Sequence, residues 1–472
     1  MVHTAVRAHL EHTSRAFTFF VVVLALVTAC SQPADVGAGG GTDGPNGLRD
    51  GAPPPSVRAF GGAQTDTDLI AMSALSDLNE FWTGEFRSVS PRPFTPLTLF
   101  LSWDAAAAVP DSGVFCEITT SGLENAAYCP IDNSIGWDRG VLLPYVEQHF
   151  GQLGVATIMA HEFGHAISAQ AGFLDNNREL RGYPLLVWEQ QADCYAGVYL
   201  RHVTDGNSRW FTLNTGEGLS TVLAAMVAIR DHDLTAPETG HGSGFDRVTA
   251  LQLGFTEGSE RCALIGEDEL EQRRTIVPHE FAGPHDTGEL PITEGTVRLV
   301  ADSFLELFPA EAPPALIFER DTPGCSHGTY PVNYCPDHRG LEIDLDGLSE
   351  RGQPVLSPGP FPTAIRGDFT AFSIVASRLA IASLHDRGLP IQGPNAALAA
   401  ACMTGAWAGQ AAHASIGRIY LSPGDLDEAL GELLAHGLIA SDVEGAATAS
   451  GFDRVEAFRS GIMHGADSCS SQ

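Results

Sequence analysis

His161-Glu162-Phe163-Gly164-His165, followed by Trp188-Glu-Gln-Gln-Ala-Asp-Cys-Tyr-Ala-Gly197, is the stretch on which the reading of this 472-residue chain turns. Histidines at i and i+4 share one helix face a turn apart, so both imidazoles can hold one Zn²⁺ while the intervening glutamate faces the water to be activated. The surroundings support a helix: Val155 to Ala171 is mostly apolar or small with no internal proline, and Gly172 stands where a helix C-cap is expected. A second helix is predicted from Pro184 to Leu200, with Glu189 and Asp193 one turn apart on it. A catalytic zinc site takes three protein ligands and keeps one position open, which makes Glu189 the expected third ligand beside His161 and His165. Asp193 is then spaced to hydrogen-bond the outer nitrogen of a ligating histidine.

Four motifs in this order, Tyr128-Cys129-Pro130, the HEFGH helix, the Trp188 to Gly197 segment, and His241-Gly-Ser-Gly-Phe-Asp-Arg247 with Cys262 after it, resemble the bacterial neutral zinc metallopeptidases. The resemblance covers about Asp66 to Cys262. It implies a zincin-like domain of the gluzincin type, one Zn²⁺ per chain, and hydrolysis of peptide bonds in a protein or peptide substrate, with Glu162 as general base and an endopeptidase expected. Ala166 departs from the family pattern, which has a further histidine there, and Arg230-Asp231-His232-Asp233 stands where a Gly-Asp-Asp is usual. Neither departure removes a proposed ligand; both bear on the shape of the cleft.

Arg7 and Arg15 precede the apolar run Ala16 to Ala29, too short to span a membrane comfortably and read as the core of a signal peptide, residues 1–29. The run ends in Val27-Thr28-Ala29-Cys30, which resembles a bacterial lipobox and implies cleavage before Cys30 and acylation of its thiol; a plain secretory signal with an incidental cysteine is the alternative. Ser31 to Ser56 is rich in Gly, Pro and Asp, so residues 30–62 are expected to form a flexible tether to a bacterial membrane, placing the protein in the cell envelope. No other stretch is long and apolar enough for a transmembrane helix. A net charge of −32 argues against nucleic acid as a partner, and all 26 basic residues are arginine.

Apart from Cys30, the cysteines fall into two sets of four: Cys116, Cys129, Cys194, Cys262 and Cys325, Cys335, Cys402, Cys469. The later three of each set are offset by 335−129 = 206, 402−194 = 208 and 469−262 = 207, which points to an internal duplication. Tyr128-Cys129-Pro130 recurs as Tyr334-Cys335-Pro336, and Ser243-Gly-Phe-Asp-Arg-Val248 as Ser450-Gly-Phe-Asp-Arg-Val455. In an oxidising compartment the simplest pairing of eight cysteines is 116 with 129, 194 with 262, 325 with 335 and 402 with 469.

The duplication acts as an internal control. Laying Ala160 on Ala376 puts Ser377, Arg378 and Ile381 at the places of His161, Glu162 and His165, and laying Cys194 on Cys402 puts Ala397 and Ala401 at those of Glu189 and Asp193. The second half is therefore expected to be a catalytically dead copy. Asp246 and Arg247 persist in both halves and read as a structural ion pair or turn, whereas His241 is replaced by Thr448 and so tracks with the metal ligands. His241 is the candidate donor to the oxyanion, with a surface or capping histidine as the alternative and Tyr183, Tyr195 and His232 as weaker substitutes. Ser134 to Asp138 reads as a strand, internal or an edge to which an extended peptide could add.

The expected architecture is a helix-rich α+β pair of tandem domains: residues 63–262 active, 263–294 a linker, 295–472 degenerate. Each half should open with a helix (Asp66 to Phe86; Thr296 to Leu307) and a strand (Leu97 to Ser102; Ala315 to Glu319). A non-catalytic envelope scaffold or binding protein retaining a structural zinc is the alternative function. The oligomeric state is not written in the sequence.

Overall fold

The computed structural model describes residues 43–471 except 64, 108–112, 176–179, 232–239, 277, 279, 282–286, 319–324, 326–327, 356–361, 363, 414–418 and 449. The signal segment, Cys30 and His232 lie outside the described residues. Among the described residues no helix is long and apolar enough to cross a membrane.

The fold is helix-rich α+β. In chain order the first half runs β1 (Gly47–Leu48), α1 (Asp66–Val89), β2 (Leu99–Trp103), β3 (Val114–Phe115), β4 (Ile118–Thr119), β5 (Ala126–Cys129), β6 (Ser134–Asp138), α2 (Leu142–Ala171), α3 (Leu185–Thr204), β7 (Phe211–Thr212), α4 (Glu217–Ala228), α5 (Gly244–Glu257), α6 (Ser259–Ala263) and α7 (Glu267–Arg274). The second runs α8 (Glu294–Leu307), β8 (Ala315–Ile317), β9 (Val332–Cys335), β10 (Gly340–Ile343), α9 (Leu345–Arg351), α10 (Asp368–Asp386), α11 (Pro394–Ala411), α12 (Asp425–Ala435) and α13 (Gly451–His464).

Each half carries one three-stranded sheet. In the first the order is β2-β6-β5, with β2 parallel and β5 antiparallel to the central β6; in the second it is β8-β10-β9 with the same senses. Ser134–Asp138 is thus an internal strand, with β2 and β5 on either side of it.

The HEFGH sequence lies in the long α2, which breaks at Gly151, where φ is +66°, and ends at Gly172 in the left-handed conformation that glycine adopts without steric cost. Gly164 is required by packing: a Cβ there would stand 2.7 Å from the Ala192 backbone, so only glycine lets α2 lie this close to α3. A second pair of glycines seats α5 on α3, since a Cβ on Gly197 would meet Leu251 O at 2.0 Å and one on Gly254 would meet Cys194 O at 1.8 Å. The second half repeats the device between α11 and α13: Gly405 against Phe458 O and Gly461 against Cys402 O, at 1.9 and 2.0 Å. The four disulfides pair Cys116–Cys129, Cys194–Cys262, Cys325–Cys335 and Cys402–Cys469.

Three expectations about chain organisation need correction. Residues 43–62 are not a free tether: β1 pairs with β7, Leu48 N donates to Gln152 Oε1 at 2.8 Å, and Leu48, Ala52, Val57 and Ala59 pack on the core. Residues 263–294 are more than a linker, because α7 packs Leu270 against Leu186 and Val187 while Arg273 donates to Gln190 Oε1 at 2.7 Å. The two halves are not separate bodies: Ala38–Gln472 is one compact unit, and a single core runs from Ile70 to Cys469. Apolar faces of α4 and α5 are covered by α12 and α13, with Phe255 and Phe452 in ring contact, and that burial favours one core over two.

Candidate metal centre

The helix register of α2 puts His161 and His165 on one face, and α3 brings Glu189 to meet them. Glu189 Oε2 stands 3.2 Å from His161 Nε2 and 3.4 Å from His165 Nε2. All three residues are buried, and one ligand atom from each lies within 4.8 Å of the others. His161 Nε2 and Glu189 Oε2 are buried without a hydrogen-bond partner, a costly state for polar atoms that a cation between them would relieve. Two imidazoles and a carboxylate are the donor set of a three-ligand zinc site. The residues fit the metal.

Asp193 stands where the spacing places it, with Oδ1 2.6 Å from His161 Nδ1. This contact fixes the ring so that Nε2 faces Glu189. Burial alone would depress the His161 imidazole, but the charge and hydrogen bond of Asp193 outweigh it and push the group up to about 10 in the metal-free protein. Burial works to raise Glu189, and the charge of His165 with the close approach of the His161 and His165 rings reverses this, holding its carboxyl well below the usual range. His165 is further confined by stacking on Trp188, ring centroids 5.0 Å apart.

Arg247 corrects one of the two sequence expectations, an ion pair with Asp246. It does not pair with Asp246; its Nε and Nη2 donate to the two oxygens of Asp193 at 3.0 and 2.8 Å, and its Nη1 donates to Ile229 O at 2.8 Å. Asp246 instead closes a capping box with Ser243 at the start of α5. The sequence signal for Arg247 was obscured because Arg454 survives in the second half, where it donates to the backbone carbonyls of Thr448 and Leu434.

Glu162 is 7% exposed and accepts a hydrogen bond from Tyr128 N on β5 at 2.8 Å, a contact that no sequence pattern disclosed. Burial raises its carboxyl above the ordinary value, partly offset by the charges of His161 and His165. His241 joins the site: Nε2 is 3.6 Å from Glu189 Oε2, and Nδ1 is 3.4 Å from Asp231 Oδ1. Asp231, which was not singled out, is anchored by Gly242 N at 2.8 Å. Of the substitutes, Tyr195 is buried against Trp82 in the core, and Tyr183 is exposed and stacked on Phe173; neither joins the cluster.

Arg378 on α10, the residue that the sequence offset sets against Glu162, is buried and donates to Asp442 O at 2.7 Å and to Ser441 O at 2.6 Å.

Comparison with curated proteins and with solved structures found no match. Residues 18–263, just over half of the chain, match the family described as putative neutral zinc metallopeptidase. With a His₂Glu cluster inside the matched region, the chain belongs to this family of zinc metallopeptidases.

Proposed function

We propose that the protein is a zinc endopeptidase whose catalytic centre lies in its first half. The observation that carries this reading is the meeting of His161 Nε2, His165 Nε2 and Glu189 Oε2, with the Glu162 carboxylate beside them. His161, His165 and Glu189 would hold a Zn²⁺, which when bound would supply Lewis-acid polarisation of a scissile carbonyl and a water of pKa lowered towards about 7. Glu162 takes the proton of the attacking water and delivers it to the leaving amine, a role suited to a carboxyl raised by burial. His241, steered by Asp231, donates to the developing oxyanion, and Tyr128 N releases Glu162 as substrate enters. The outer edge of β5, next to Glu162, takes an extended peptide by strand addition.

The second half is read as a degenerate copy, supported by the repeated sheet order, the repeated glycine contacts and the buried Arg378. The chain is read as an envelope lipoprotein held through Cys30, on the strength of the residues before and at that cysteine.

The test is digestion of a denatured protein mixture by the wild type and by Glu162→Gln. The variant should keep its zinc and lose cleavage by roughly 10²–10⁴-fold. Equal results from both proteins would reject the enzyme and leave a zinc-bearing scaffold.

A further inference from the structure

Four carboxylates, none of them among the zinc-site residues, meet where α10 and α12 begin. One oxygen from each of Glu289, Asp368 and Glu428 lies within 4.8 Å of the others, and the buried Asp425 adds its charge to the group. Among the described residues, none of the four forms an ion pair with an arginine or histidine. Each has one oxygen engaged by a backbone amide: Leu290 N donates to Asp368 Oδ2, Asp368 N to Glu289 Oε2, Phe369 N to Glu428 Oε2, and Ser422 N to Asp425 Oδ2, at 2.7, 3.2, 2.9 and 2.8 Å. Asp368 is 3% exposed, yet its Oδ1 is buried with no hydrogen-bond partner, on a carboxylate that belongs to the cluster. An orphaned charged oxygen among like charges is a state that a protein does not maintain without compensation.

The proposed duplication supplies a comparison. By the offsets that align α10 with α2 and α12 with α4, Asp368 corresponds to Gln152, Asp425 to Glu217 and Glu428 to Ser220. Leu48 N donates to Gln152 Oε1 as Leu290 N donates to Asp368 Oδ2, so a neutral amide suffices for that backbone contact. Ser220 is neutral and Glu217 is exposed, so at these corresponding positions the first half does not bury negative charge together.

We propose that Glu289, Asp368 and Glu428, with Asp425 behind them, form a Ca²⁺ site. The donors are all oxygen, which favours a hard cation over zinc, and Ca²⁺ takes six to eight oxygens at about 2.3–2.6 Å, placing ligands on opposite sides of it about 5 Å apart. The observed spread fits within that span. Glu289 is exposed and closes the rim, leaving room for water to complete the coordination.

The site stands apart from the zinc reading, and the two are counted separately. The full-length chain is dialysed against CaCl₂, against MgCl₂ or against a Ca²⁺-selective chelator, and bound calcium and zinc are measured alongside thermal unfolding. One retained Ca²⁺ per chain is expected, with Tm higher by on the order of 2–4 °C than in chelator, both effects lost in Asp368→Asn and zinc content unchanged. MgCl₂ should substitute poorly. If Asp368→Asn does not fold, the rim variant Glu289→Gln should fold and weaken Ca²⁺ roughly tenfold. No retained calcium in the wild type, or unaltered Ca²⁺ affinity in Glu289→Gln, overturns the site.

Discussion

Asp193 is gripped from both sides, by the His161 ring and by the fork of Arg247, and all three groups are buried. Asp193→Asn should therefore lower zinc affinity by roughly 10–100-fold, read by competition with a chromophoric chelator, while leaving the fold intact. His161 gives a pH dependence. In the metal-free protein its pKa rises from 6.5 to about 10, so its contribution to stability is full below 6.5 and is lost as pH climbs towards 10. Zinc needs the neutral ring, so the difference in Tm between zinc-loaded and metal-free protein should widen from pH 6.5 to 9. A constant difference over that range would contradict the Asp193 contact. At this scale the i, i+4 histidines, Glu189 and Asp193 were legible because helix geometry alone fixes their relation. Arg247 was not: it lies 54 residues beyond Asp193 in sequence, and only the folded chain brings its guanidinium round.

Helices α2 and α3 hold the three ligands only as well as they hold each other, and the glycine inside the HEFGH motif sets their separation. Gly164→Ala should cost about 1–3 kcal/mol by overpacking, seen as a lower Tm, and should weaken zinc binding although no ligand is touched. Element type followed local rules: apolar periodicity and the Gly172 cap gave the metal helix, and cysteine spacing gave the four disulfides. What the sequence hid were partners supplied from far away. The Gly-rich stretch before Ser56 reads as tether because its own side chains are small, yet Leu48 finds a strand at Phe211 and an amide acceptor at Gln152. Charged α7 looked like linker because, among its described side chains, Leu270 and Arg273 are the buried ones.

At the level of the whole molecule, the second half supports the first at a specific point. Asp427 on α12 accepts from Gly244 N and Phe245 N at the start of α5, at 3.0 and 2.9 Å, and pairs with Arg230 at 2.9 Å. That helix carries Arg247, and Arg230 adjoins the Asp231 that steers His241. Asp427→Ala should destabilise the protein by roughly 3–5 kcal/mol, measured by urea unfolding, because it leaves Arg230 and two amides uncompensated. A chain ended after Thr275 would expose the apolar faces of α4 and α5 and should not yield a soluble, zinc-loaded protein; a well-folded active fragment would show that the shared core is dispensable.

Cys194 directly follows Asp193, and its bond to Cys262 clips the metal-bearing α3 to α6 across 68 residues. Closing a loop of that length removes about 4 kcal/mol of freedom from the unfolded chain. Without that clamp the helix carrying Glu189 is held by its packing and by the Asp193–Arg247 and Gln190–Arg273 contacts. Reducing the bond should thus loosen the frame of the metal cluster while leaving every proposed ligand in place.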